Sequence, residues 1–94
     1  MFDIKISEDG TVFLEGRLDA SQAEKARSAL NTLDRSVIVD FSGLDYISSA
    51  GLGVLLGLRQ RLDAAGHNIK LIKMNRHVRD VFRYAGMDQL FEIE

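Results

Sequence analysis

Phe2, Ile4 and Ile6 alternate with Asp3, Lys5 and Ser7, the period-two pattern of a strand with one buried face. Glu8, Asp9 and Gly10 supply turn chemistry before residues 11–14 resume a β-rich run, so the chain opens as a hairpin. Gly16 reads as the end of the second strand. Asp19, followed three residues later by Gln22, has the spacing of a capping box, in which both side chains satisfy free N–H groups, and predicts a helix from about Ala20. Ala23, Ala26, Leu30 and Leu33 form its apolar stripe. The stripe is narrow and made largely of small residues, suited to lying close against a sheet.

Residues 37–62 dominate the chain. Val37, Ile38 and Val39 give no alternation and predict a central strand buried on both faces. A polar turn holding Asp40, Ser42 and Asp45 leads into an apolar helical pattern at Ser48 and Ser49. At 100° per residue, Val54, Leu55, Leu58, Leu62 and Ala65 share one stripe of this helix. Ser49, Leu52, Gly53 and Leu56 fall on another, with Arg59, Gln60 and Asp63. Leu52 and Leu56 are therefore expected to be exposed, beside a hydroxyl and a bare glycine backbone, as a protein-docking surface.

Gly66 stands where a helix C-cap glycine belongs, and residues 68–73 read as another strand. From Asn75, an N-cap residue, Val78, Val81, Phe82 and Ala85 recur at helical spacing until Gly86, and Leu90, Phe91 and Ile93 form a short edge strand. The order is β-β-α-β-α-β-α-β. It predicts an α/β fold: one domain over residues 1–94, a small mixed sheet of four to five strands, and three helices mainly on one side, joined by right-handed crossovers.

A length of 94 residues suits one self-standing core. With no cysteine, thiol catalysis, thiolate metal sites and disulfides drop out, in keeping with a reducing, cytoplasmic setting. No apolar run reaches the roughly 20 residues of a membrane span, and the N-terminus has no signal-like pattern. The net charge of −2 argues against wholesale nucleic-acid binding. Sign is nonetheless unevenly placed: residues 59–83 hold seven basic side chains (Arg59, Arg61, Lys70, Lys73, Arg76, Arg79, Arg83) against two acids, Asp63 and Asp80. Solvated helix faces are the ordinary explanation, and a partner-facing basic edge is the other.

Asp40 and Asp45 invite an acid/base or magnesium reading, but no base, nucleophile and oxyanion site accompany them, so the chain reads as non-enzymatic. His67 and His77 have no partner at ligand spacing, and no metal site is expected. Gly43, Gly51, Gly53 and Gly57 match neither a dinucleotide fingerprint nor a P-loop, and no cofactor is expected. Gly51 and Gly53 instead leave the first helical turn open, so a large partner can approach Ser49.

The stretch VDFSGLDYISSAGLGVLLGLRQRL, with GRLD at residues 16–19 and VRDVFRYAGM near the end, resembles the STAS domain of bacterial anti-sigma factor antagonists over essentially the whole chain. The resemblance implies binding to an anti-sigma factor serine kinase of the histidine-kinase-like ATPase fold, release of a sigma factor, loss of binding on phosphorylation, and restoration by a PP2C-type phosphatase. It places the phosphorylatable serine at Ser49, with Ser48 as second choice, the G-L-G at Gly51, Leu52 and Gly53, and the strand-end aspartate at Asp40. Partner contacts are expected at Asp40, Asp45, Ser48, Gly51, Leu52, Gly53 and Leu56. Ser48 stands where the family often has aspartate, and Ala50 where it often has a second serine. The alternative is a constitutive accessory subunit of a membrane lipid transporter, or a signalling scaffold, with Ser49 only a helix cap.

Overall fold

The computed structural model describes residues 1–94. Five strands, β1 (Phe2–Ile6), β2 (Thr11–Leu18), β3 (Val37–Ile47), β4 (Ile69–Ile72) and β5 (Glu92–Ile93), form one sheet in chain order. The β1–β2 hairpin is antiparallel and every later pairing is parallel. The crossovers carry α1 (Ala23–Leu30), α2 (Ser49–Ala64) and α3 (Arg76–Tyr84). This is the α/β arrangement that the hydrophobic pattern predicts, with a 3₁₀ turn over Ala20–Gln22 added ahead of α1. There, Asp19 accepts the Ser21 N–H at 3.1 Å, while Gln22 makes no side-chain cap bond. The expected reciprocal box is half formed, because the tight turn brings Ser21 rather than Gln22 to the Asp19 carboxylate.

The helices cover one sheet face. Val12, Leu14 and Leu18 from β2 and Val39, Phe41, Leu44 and Ile47 from β3 are buried beneath them with Leu30, Leu55, Leu62 and Phe82. The other face is open: Ile38 is 40% exposed and Phe13 37%. β3 is thus central but buried on one side only, against the expectation from its unbroken β-branched run.

β3 is also much longer than residues 37–40. Its register with β2 slips twice, once between Phe13 and Glu15 and again between Gly16 and Arg17. Each slip admits an extra β3 residue, so core positions recur at Phe41, Leu44 and Ile47, every third residue instead of every second. That bulged spacing makes Asp40, Ser42 and Asp45 look like a turn although all three lie on the strand. Gly16 belongs to the same irregularity and does not end β2. It has φ +88°, and a Cβ there would lie 2.1 Å from the Met1 carbonyl oxygen, so the β1–β2 approach requires glycine.

Candidate site at the start of the central crossover helix

β3 delivers the chain to α2 at the C-terminal edge of the parallel strands, where ligand sites of α/β sheets gather. The Ser48 N–H donates to the Leu18 carbonyl at 3.0 Å, extending the β2–β3 ladder to the first residue beyond the strand. Ser48 then caps α2: its backbone is extended, and its Oγ accepts the Gly51 N–H at 3.3 Å. Ser49 is the first helical residue. It is exposed, and its hydroxyl makes no hydrogen bond within the protein. The structure therefore divides the two serines: Ser48 is the cap, which corrects the alternative that gives this role to Ser49. Ser49 is a free hydroxyl at the positive end of a 16-residue helix dipole.

The expected contact residues separate by burial. Leu52 is 4% exposed, which overturns its expected place on the surface. α2 buries an arc spanning Leu52, Leu55, Leu58, Leu62 and Val54, wider than the single stripe drawn from periodicity. Leu56 is half-buried, and Ala65, expected in the core, is exposed. Gly51 is buried, and a Cβ on it would lie 2.8 Å from Ile47 Cγ1, 2.9 Å from Leu18 Cγ and 3.0 Å from the Leu18 carbonyl. It lets the helix end sit on the sheet and does not clear space for a partner. Gly53 does leave such space, with nothing within 4 Å of its would-be Cβ. Ser49, Gly53, Leu56 and Gln60 thus share the outward stripe of α2. A shallow groove of about 160 Å³, bordered by Arg27, Leu30, Gly53, Gly57 and Arg61, lies alongside, between α1 and α2.

Asp40 is 5% exposed. Its carboxylate accepts the Ser42 N–H at 2.8 Å and lies 3.7 Å from Lys73 Nζ. Burial pushes its pKa up, but hydrogen bonding to Ser42 and the Lys73 charge outweigh burial and hold it below the ordinary aspartate value. Lys73 adopts φ +61° as the chain leaves β4, an uncommon conformation for a residue with a side chain. Asp45, by contrast, is exposed and forms no ion pair.

The basic segment is mostly neutralised within the fold. Arg59 pairs with Asp63, Lys70 with Glu92 and Glu94, Lys73 with Asp40, and Arg83 with Asp80. Arg61 donates to the carbonyls of Leu30 and Leu33, closing the C-terminal end of α1. Of the seven, Arg76 and Arg79 are left, both exposed on α3. Sequence reasoning missed one feature beside the serines. Arg17 lies over the Tyr46 ring at 4.3 Å, and the His77 ring stacks on Tyr46 at 6.3 Å between centroids. The β2–β3 register pairs Arg17 with Tyr46, and α3, tied to β3 through Asn75, brings His77 to the same ring.

A family model described as "Mlab, STAS domain" matches residues 4–92. The chain belongs to the STAS domain family. Among curated STAS relatives, the Bordetella bronchiseptica protein BtrV, assigned as an anti-sigma factor antagonist, is 33% identical over 84 residues, spanning 85% of this chain and 72% of its own. The anti-sigma-B factor antagonist of Listeria monocytogenes is 26% identical over 99 residues, spanning 97% and 87%. Among solved structures, the Bacillus anti-sigma factor antagonist SpoIIAA shares the fold. Its unphosphorylated form has a TM-score of 0.74 at 23% identity, covering 100% of this chain and 87% of that one; its phosphorylated form has 0.72 at 24%, covering 100% and 91%. No helix of this STAS domain is long and apolar enough to cross a membrane.

Proposed function

We propose that this STAS domain is a cytoplasmic anti-sigma factor antagonist that works by binding and has no catalytic activity of its own. It holds an anti-sigma factor serine kinase of the histidine-kinase-like ATPase fold, so that a sigma factor is released, and it loses the kinase when Ser49 is phosphorylated. A PP2C-type phosphatase restores it. The observation that carries this reading is the division between the serines: Ser48 Oγ is occupied in capping, whereas Ser49 is exposed with its hydroxyl free. Asp45, Gly53 and Leu56 give the partner-facing surface around Ser49. Gly51 and Leu52, being buried in the first turn of α2, support that surface from beneath, while Asp40 lies earlier on β3, beside Lys73.

The physics suits a switch that needs no refolding. Phosphate adds roughly −1.5 to −2 charges at a helix N-terminus, where the dipole favours it by about 0.3–1 kcal/mol. A partner carboxylate about 8 Å away would be repelled by about 2 kcal/mol per unit of charge at an effective dielectric of about 20, or about thirtyfold in affinity before salt screening.

Incubation of the purified protein with host extract and ATP, followed by phosphopeptide mass spectrometry, tests the site. Phosphate is expected on Ser49 and absent from Ser49→Ala. The alanine variant is expected to hold the kinase permanently, and Ser49→Asp to hold it weakly. Ser48→Ala is expected to cost about 0.5–2 kcal/mol of stability, as the loss of a cap does, while remaining a substrate. Phosphate on Ser48 alone would move the switch by one residue. No phosphate on either serine would favour constitutive service in a lipid transporter or a scaffold.

A further inference from the structure

The side chains of Arg76 and Arg79, both exposed, form no salt bridge and no hydrogen bond within the chain. Three residues apart on a helix, they are surface neighbours. The geometry that places them is specific. Asn75 caps α3 by accepting the Val78 N–H at 2.8 Å, and its Nδ2 donates to the β3 Leu44 carbonyl at 3.1 Å. α3 is thereby tied to the same strand that delivers Ser48 and Ser49 to α2. His77, next to Arg76 in the chain, stacks on Tyr46, over whose ring the Arg17 guanidinium also lies. Tyr46 is two residues before Ser48. Arg17 and His77 thus meet at Tyr46, while Arg76 and Arg79 are exposed on α3, whose N-terminus starts from the same sheet edge as that of α2. Asp80, the one acid on the same helix, is paired with Arg83.

Cations left unpaired inside a chain of net charge −2 mark a place where the opposite charge is to come from another molecule. We propose that Arg17, Arg76 and Arg79 form a docking strip for an acidic segment of the anti-sigma factor partner, at the sheet edge from which the Ser49 helix also starts. This rests on the function proposed above and deepens it. An acidic segment held on the strip would bring its carboxylates close to Ser49, so the charge that draws the partner in is also the charge that a phosphate on Ser49 would repel.

The test uses the full chain and the purified host kinase that modifies Ser49. Arg76→Glu with Arg79→Glu is expected to weaken binding by about tenfold or more at low salt, mainly through slower association, and to flatten its salt dependence. Arg76→Lys with Arg79→Lys, which retains both charges, is expected to restore most of the binding. Circular dichroism of each variant checks the fold, and Arg17→Glu gives an independent reading from a different element. Unchanged affinity and unchanged salt dependence in the folded charge-reversed variants, with Ser49 still phosphorylated, would overturn the strip and leave the switch standing. Absence of phosphorylation and of kinase binding in the wild-type chain would overturn both. If anionic vesicles or duplex DNA bind the strip more tightly than the kinase does, the acidic-protein assignment is also overturned.

Discussion

Two glycines two positions apart on α2 do opposite work. Gly51 touches the sheet so closely that any Cβ meets Ile47 and the Leu18 backbone, whereas Gly53 looks into open space. Gly51→Ala is expected to destabilise the domain by about 1–3 kcal/mol through overpacking. Gly53→Ala is expected to stabilise it by up to about 1 kcal/mol, because a helical glycine is replaced without a clash. Urea unfolding of the two variants checks both signs. The sequence makes the two positions look alike, as bare backbone on the first turn. They differ only in what faces them, and that depends on Leu18, 33 positions earlier than Gly51. Ser48 and Ser49 pose the same problem: either could cap the helix from sequence alone, and the last ladder bond to Leu18 decides which one does.

Among the elements, β3 departs furthest from its hydrophobic pattern and holds the buried acid. The folded-state pKa of Asp40 lies below its ordinary value of 3.8. Its contribution to stability is therefore complete above the unfolded-state pKa and is lost as pH falls through the folded-state value. Asp40→Asn is expected to flatten the acid limb of stability between about pH 5 and about pH 2, read as urea midpoints against those of the wild type. The helices, the hairpin and β4 were legible because each keeps one period throughout. β3 was not, because two bulges turn a period of two into a spacing of three across Phe41, Leu44 and Ile47. α2 was legible as a helix but not in its facing. Its buried arc reaches Val54 on one flank, beside α1, and Leu52 on the other, and a single-stripe projection has room for only one of them.

At the scale of the molecule, all three helices lie on one face, and the N-termini of α2 and α3 start from the same edge of the sheet, through Ser48 and Asn75. A phosphate on Ser49 would meet solvent and the helix dipole, not the core. The phosphorylated protein is therefore expected to keep the melting temperature of the unmodified form within a few degrees. Amide chemical-shift changes are expected to be confined to the start of α2, the 3₁₀ turn beside it and the Tyr46–His77 stack. The strand order has a separate consequence. Because β1 to β5 lie in space as they lie along the chain, every strand leaving a ribosome finds its neighbour already made, and the sheet can grow at one margin without waiting for a later segment to be inserted. Parallel pairings are slow to form when their partners are distant or not yet synthesised. Here translation itself supplies the order of assembly.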